Sequence, residues 1–231
     1  MYRSLYLPFS IVLPVLGFAL AARADEASEA AIYVVSYIEV MPPSQHAAMT
    51  LLRQYRETSR QEAGNMRLEV LQQSGRPAHF ALVEVWQDQQ TFEAHAKAAH
   101  TTQLRDQLQP LRLSPQDERQ HKGLAVGAVQ AAGAAGATYV VTHADAMPPG
   151  KEAALALLQQ LAEISRNEHG NIRFEVLQQS SRQNHCTIVE VWQDQQALEA
   201  HAMAAHTRQF RDKFQPLSGS LYDERLYKAL D

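Results

Sequence analysis

The residues best suited to do chemistry in this chain are four histidines, His95, His100, His201 and His206, set in two near-identical stretches, HAKAAH and HAMAAH. An imidazole that titrates near 6.5 suits removal of a phenolic proton at neutral pH, a role worth roughly 10²–10⁴ in rate. Within each stretch the histidines are five residues apart. On an unbroken helix that turns them about 140° from each other, whereas metal-binding pairs on one helix face sit three or four apart. Zinc is therefore not expected, nor any other metal. His95 and His201 are the favoured bases; the plainer alternative is that all four cap or pack against backbone without touching a ligand.

Trp86 and Trp192 close the run VEVW in each stretch, shortly ahead of the histidines. There an indole can wall a pocket and orient a ligand oxygen through its N–H, or plug the end of a sheet as ordinary core. Glu84 and Glu190 share a strand face with them by alternation. Each carboxylate either orients a histidine or, as the expected case, forms an ion pair with Arg67 or Arg173.

The elements that must position these groups follow from a duplication. Residues 33–124 overlie residues 139–230 at a constant shift of 106 with no gap, and 54 of the 92 aligned positions are identical. In the first copy, residues 33–40 read as a strand stopped by Pro42 and Pro43. Ser44 is placed to cap a helix whose apolar residues Ala48, Leu51, Leu52 and Tyr55 recur at helical spacing, with Gly64 and Asn65 as its terminating turn. Residues 67–73 and 80–86 read as strands joined by a Ser-Gly-Arg-Pro turn. Asp88 is an N-cap for a second helix running unbroken to about Gln109, and a short strand over 119–124 completes β-α-β-β-α-β.

That order is the ferredoxin-like unit. Its two helices cover one sheet face only, so the fold class expected is α+β, with two tandem units forming an intramolecular dimeric α+β barrel and the helices outside. The units span 31–124 and 138–231, and the Ala/Gly-rich stretch 125–137 reads as a flexible tether.

Residues 1–24 read as a signal peptide: an apolar run behind Arg3 ends at Ala22, Arg23 and Ala24. The run contains Pro8, Pro14 and Gly17 and barely reaches the length of about 20 residues that spans a bilayer. A periplasmic or secreted protein is expected, with no stable membrane insertion after cleavage. Cleavage removes Arg3 and Arg23 and no acid, taking the formal charge from −4 to −6. Such a surface is a poor partner for nucleic acid. The one cysteine, Cys186, allows no intramolecular disulfide. No GxGxxG, P-loop or cysteine cluster points to a nucleotide, flavin or iron–sulfur cofactor.

The stretch VEVWQDQQALEAHAMAAHTRQF, together with YVVTHADAMPPGKEAALALL and SRNEHGNIRFEVLQQS, resembles the antibiotic biosynthesis monooxygenase family, the quinol monooxygenase-like group of dimeric α+β barrels. The resemblance implies a pocket in each unit between sheet and helices that accepts a phenol, quinol or polycyclic aromatic. It also implies cofactor-free chemistry, in which the deprotonated substrate reduces O₂ by one electron and the radicals recombine. Small aromatic substrate and O₂ are then the partners, and no cofactor is expected. A binding module holding a small aromatic or apolar ligand without turnover is the competing class, and a barrel filled by its own core is a third. Haem-degrading relatives carry their proximal iron ligand where this chain has Arg105 and Arg211, and arginine cannot ligate iron. The two arginines are instead substrate-binding candidates, with Trp86 and Trp192. Tyr37 and His143, also substrate-binding candidates, match a polar pocket residue on the relatives' first strand; facing the pocket they imply two pockets with different ligand-facing groups, and facing outward their difference is drift.

Overall fold

The computed structural model describes residues 30–129 and 136–230; the expected signal peptide and residues 130–135 of the tether lie outside them. The first copy comprises β1 (Ile32–Glu39), α1 (Gln45–Ser59), β2 (Asn65–Gln73), β3 (His79–Trp86), α2 (Gln89–Ala96), α3 (Ala99–Leu108) and β4 (Asp117–Ala125). The second repeats it as β5 (Thr138–Asp145), α4 (Lys151–Ser165), β6 (Asn171–Gln179), β7 (His185–Trp192), α5 (Gln195–Met203), α6 (Ala205–Phe214) and β8 (Asp223–Ala229).

The eight strands close into one barrel in the order β1-β3-β2-β8-β5-β7-β6-β4. Each copy supplies four consecutive strands. The copies are stitched by antiparallel pairing of β2 with β8, from Leu71↔Ala229 to Gln73↔Tyr227, and of β4 with β6, from His121↔Gln179 to Ala125↔Val176. The barrel thus has no edge strand, which answers the uncovered face that a single unit would present. Ala125 ends β4, and Val126 and Val129 lie against the cluster that fills the lumen.

Strand alternation sorts side chains between lumen and helices. Tyr33, Val35, Val83, Val85 and their counterparts Tyr139, Val141, Val189 and Val191 fill the lumen. The helix-facing side of each copy has its own core: Ile38, Leu52, Leu68, Phe80, Leu82 and Leu108 in the first, and Leu158, Phe174, Ile188, Phe210 and Phe214 in the second. One end of the lumen is closed by charge. Arg67 donates to both oxygens of Glu175, at 3.0 and 2.6 Å, and Arg173 donates to Glu69 at 2.5 Å, where the Tyr139 hydroxyl also donates at 3.1 Å. All four charged residues are buried.

Two expectations are corrected. Glu84 does not pair with Arg67, nor Glu190 with Arg173: Leu68 is the residue opposite Glu84, so the neighbouring Arg67 points to the other face and meets the second copy. The second helix of each copy is not continuous. It breaks at Ala98 and Ala204, which adopt extended geometry with φ −63 and ψ near 145–148. Asp88 does cap its start, accepting from the Thr91 N–H at 2.8 Å while the Asp88 N–H donates to the Thr91 hydroxyl at 3.2 Å, and Asp194 accepts equivalently from Ala197.

Candidate active site

The break decides the site. In α2, His95 is carried inward and is 2 % exposed; past Ala98 the chain restarts as α3, and His100 turns back so that the two rings are 5.6 Å apart. Five residues splay two histidines only on an unbroken helix. In the second copy His201 and His206 are 5.9 Å apart.

Between the rings sits a carboxylate that sequence reasoning missed. Glu62 lies in the turn after α1, and its Oε1 is 2.6 Å from His95 Nδ1 and 3.0 Å from His100 Nε2. Glu168 makes the same contacts with His201 and His206, at 2.6 and 3.0 Å. That turn is held by Gly64, whose φ of +83 favours glycine and where a Cβ would fall 2.4 Å from Thr91 Cγ2. The Gly64 carbonyl also accepts from the Gln87 N–H at 2.8 Å, tying the turn to the end of β3.

A carboxylate only accepts, so His95 Nδ1 carries the hydrogen and Nε2 is left as an acceptor. In the first copy the Tyr55 hydroxyl donates to that Nε2 at 2.6 Å. Burial drives the Tyr55 phenol far above its usual range, and the charge of Glu84 adds to this, so Tyr55 keeps its proton. In the second copy the matching residue is Leu161. Burial lowers His95 and His201 below the usual histidine range, against the pull of Glu62 and Glu168, and so favours the neutral form of both rings.

Trp86 and Trp192 are fully buried and stack on His95 and His201, with ring centroids 4.2 and 4.7 Å apart. Their indole N–H groups donate to Glu84 at 3.0 Å and Glu190 at 2.9 Å. Those carboxyls lie 3.5 and 3.8 Å from the Nε2 atoms of His95 and His201. Burial pushes Glu84 up to about 7 and Glu190 up to about 8, against the hydrogen bond from each indole.

These shifts carry a stability signature. A carboxyl whose folded pKa exceeds its unfolded value favours the fold only at low pH, and the advantage is lost as pH rises from the unfolded value through the folded one. With about 1.4 kcal/mol per unit, full ionisation costs on the order of 3 kcal/mol at Glu84 and 5 kcal/mol at Glu190. The Glu84→Gln/Glu190→Gln protein, whose amide oxygens still accept from the indoles, should therefore melt above wild type at pH 9, with the gap closing by pH 5. A gap independent of pH in thermal melts would contradict the buried-acid reading.

The pocket between sheet and helices in the first copy is lined by Glu84, His95, Thr101, Arg105, Gln116 and Glu118, and its free volume of about 10 Å³ admits about one water. Arg105 sits at its rim, 3.7 Å from Glu118, and donates to the Ala96 carbonyl at 3.1 Å. In the second copy Arg211, 3.2 Å from Glu224, lines a cavity of about 370 Å³ with Phe210, Phe214 and Tyr222. Tyr222, in the place of Gln116, lies near enough to Glu190 for that charge, after burial, to raise its phenol.

Tyr37 and His143 do not belong to these pockets. They meet at 5.1 Å between ring centroids across the mouth of the lumen, in one shared cleft of about 660 Å³ with Arg119 and Arg225. The expectation of two pockets made unequal by this pair is corrected: odd-numbered positions of β1 face the lumen, not the helices.

With fold and site in view, the chain belongs to the antibiotic biosynthesis monooxygenase family, whose model matches residues 31–107 and 138–213. Among solved structures it is similar to a candidate monooxygenase from Fusobacterium nucleatum, with 14 % identity and a TM-score of 0.78 over 87 % of this chain and 93 % of that one. A candidate monooxygenase from Lactobacillus acidophilus aligns with 11 % identity and a TM-score of 0.73, over 88 % and 95 % of the two chains. An anthrone oxidase-like protein aligns with 13 % identity and a TM-score of 0.67, over 88 % and 92 %. At such identities the likeness is one of fold. Among curated proteins none matches the sequence.

Proposed function

We propose that this protein is an exported monooxygenase that oxygenates a quinol or other hydroxylated aromatic with O₂, without flavin or haem, and that His95 and His201 take the phenolic proton. The observation that carries the reading is an imidazole pinned through Nδ1 by Glu62 or Glu168 and stacked on a tryptophan, with the His95 ring on the wall of the pocket between sheet and helices. Arg105 and Arg211 at the rim suit the developing phenolate.

In the proposed reaction Nε2 accepts the phenolic proton, and the anion passes one electron to O₂. Superoxide and substrate radical join to form a carbon–oxygen bond. The peroxide O–O bond then breaks, one oxygen stays as a carbonyl on a carbon that gives up its hydrogen, and the other leaves as water with the proton held by the imidazole. Substrate loses two hydrogens and gains one oxygen, so no outside reductant is consumed.

Leu161 stands where Tyr55 places its hydroxyl on His95 Nε2, and this favours the second copy as the working half. The test is O₂ uptake by the mature protein with a panel of quinols and hydroxylated polycyclic aromatics, run aerobically and anaerobically. Product formation that needs O₂ is expected. Uptake no greater than the protein-free control across the panel, with ligand still bound, would favour the non-catalytic binding module.

A further inference from the structure

We propose that Glu62, His95 and His100, and again Glu168, His201 and His206, each bind one divalent first-row transition metal ion of the zinc or ferrous class. The ligand atoms of each set, one carboxylate oxygen and two imidazole nitrogens, lie within 4.8 Å of one another. Two imidazole nitrogens and one carboxylate oxygen suit such ions rather than magnesium or calcium.

The geometry around the set is that of a metal site's supports. A ligating histidine gives its other ring N–H to a carboxylate. A carboxyl lies near the other ring nitrogen in each copy: His95 Nε2 is 3.5 Å from Glu84, beside the Tyr55 hydroxyl at 2.6 Å, and His201 Nε2 is 3.8 Å from Glu190, each carboxyl being held by a tryptophan N–H and needing a small shift to accept the ring hydrogen. Glu62 and His100 are 24 % and 22 % exposed on their side chains while His95 is 2 % exposed, so an ion has an approach from solvent and one rigid buried ligand. Ligands of a tetrahedral ion with bonds of about 2.0 Å stand roughly 3.3 Å apart. The 2.6 Å contact between Glu62 and His95 must open by about 0.7 Å, which a carboxylate on a surface turn can do.

The duplication supplies an independent observation. Between copies the apolar surroundings have drifted, with Tyr55 against Leu161, Leu82 against Ile188, Phe92 against Leu198 and Leu104 against Phe210. Over the same 92 positions the three ligands, the supporting Glu84 and Trp86 and the glycine that shapes the Glu62 turn are identical in both. Packing alone tolerates drift; a ligand set does not.

The inference goes beyond the proposed oxygenation and makes the opposite demand on His95. With a metal on Nδ1 the hydrogen must sit on Nε2, which then cannot accept a proton, so an occupied site is a silenced base. Binding and turnover are therefore read separately.

The experiment uses tag-free mature protein, stripped with chelator and titrated with Co²⁺. Visible ligand-field absorption should saturate at two ions per chain and be displaced by Zn²⁺. His100→Gln should leave one ion and His100→Gln/His206→Gln none, with unchanged far-UV circular dichroism. Glu84→Gln/Glu190→Gln should weaken binding about 10-fold to 100-fold. Should the histidine variants misfold, ¹⁵N spectra of the wild type serve instead: Zn²⁺ must shift His95 Nδ1 and His100 Nε2 together. Binding that survives in the folded double variant, absence of saturable binding, or histidine resonances unmoved by Zn²⁺ would overturn the proposal. Oxygen uptake plays no part in these outcomes, so failure here leaves the oxygenase reading standing.

Discussion

His95→Ala/His201→Ala protein is expected to turn over about 10²–10⁴-fold more slowly than wild type while folding normally, and the two single variants are expected to share that loss unequally. A base acts in the transition state, so the loss belongs in kcat more than in KM. The inequality comes from position 55 and its partner. Tyr55 donates its hydroxyl to His95 Nε2 at 2.6 Å and, being held protonated by burial, occupies the nitrogen that a substrate phenol would need. Leu161 offers His201 no such donor. His201→Ala should thus remove most of the activity and His95→Ala little, and Tyr55→Phe should raise the share carried by the first copy. Oxygen uptake per folded molecule at saturating quinol measures all four variants. Equal losses in the single variants would refute the role given to Tyr55, and full activity in the double variant would remove the histidines from the mechanism.

Much of the architecture was legible because it rests on local rules and on the duplication. Pro42 and Pro43 end β1, Asp88 caps α2, and positive φ at Gly64 and Gly75 marks two turns, each a position where few residue types fit. The closed barrel followed from a sheet face that one unit cannot cover.

The site was legible in its histidines and tryptophans but not in how they are brought together. The break at Ala98 lies in the stretch KAAH, with neither glycine nor proline to announce it. It is imposed by tertiary contacts: His95 is buried under Trp86 on one side, Leu104 is buried in the first core on the other, and Arg105 reaches back to the exposed Ala96 carbonyl. Glu62 was invisible for a different reason, since a glutamate in a surface turn is ordinary; its identity with Glu168 amid changed neighbours was the available signal. The face of Arg67 was misjudged because alternation within a strand does not fix its register against the next.

The same arginine carries a large expected effect on stability at neutral pH. Arg67→Met should destabilise the protein by about 3 kcal/mol, because it leaves Glu175, 1 % exposed, without its bidentate partner and with only the Arg173 Nε at 3.5 Å. Arg67→Met/Glu175→Leu should recover most of that loss, since removing both charges leaves an apolar surface continuous with the lumen cluster of Val85, Val191 and Leu177. Arg173→Met should cost less than Arg67→Met, because Glu69 keeps the hydroxyl of Tyr139 at 3.1 Å. Denaturant unfolding of the three variants against wild type measures these differences. A loss below about 1 kcal/mol for Arg67→Met, or a double variant less stable than the single, would contradict the account. Each ion pair joins a strand of one copy to a strand of the other, Arg67 in β2 with Glu175 in β6 and Arg173 in β6 with Glu69 in β2. Its loss should therefore be felt at the joints between copies, and through β2 and β6 at the turns that carry Glu62 and Glu168 to the histidines.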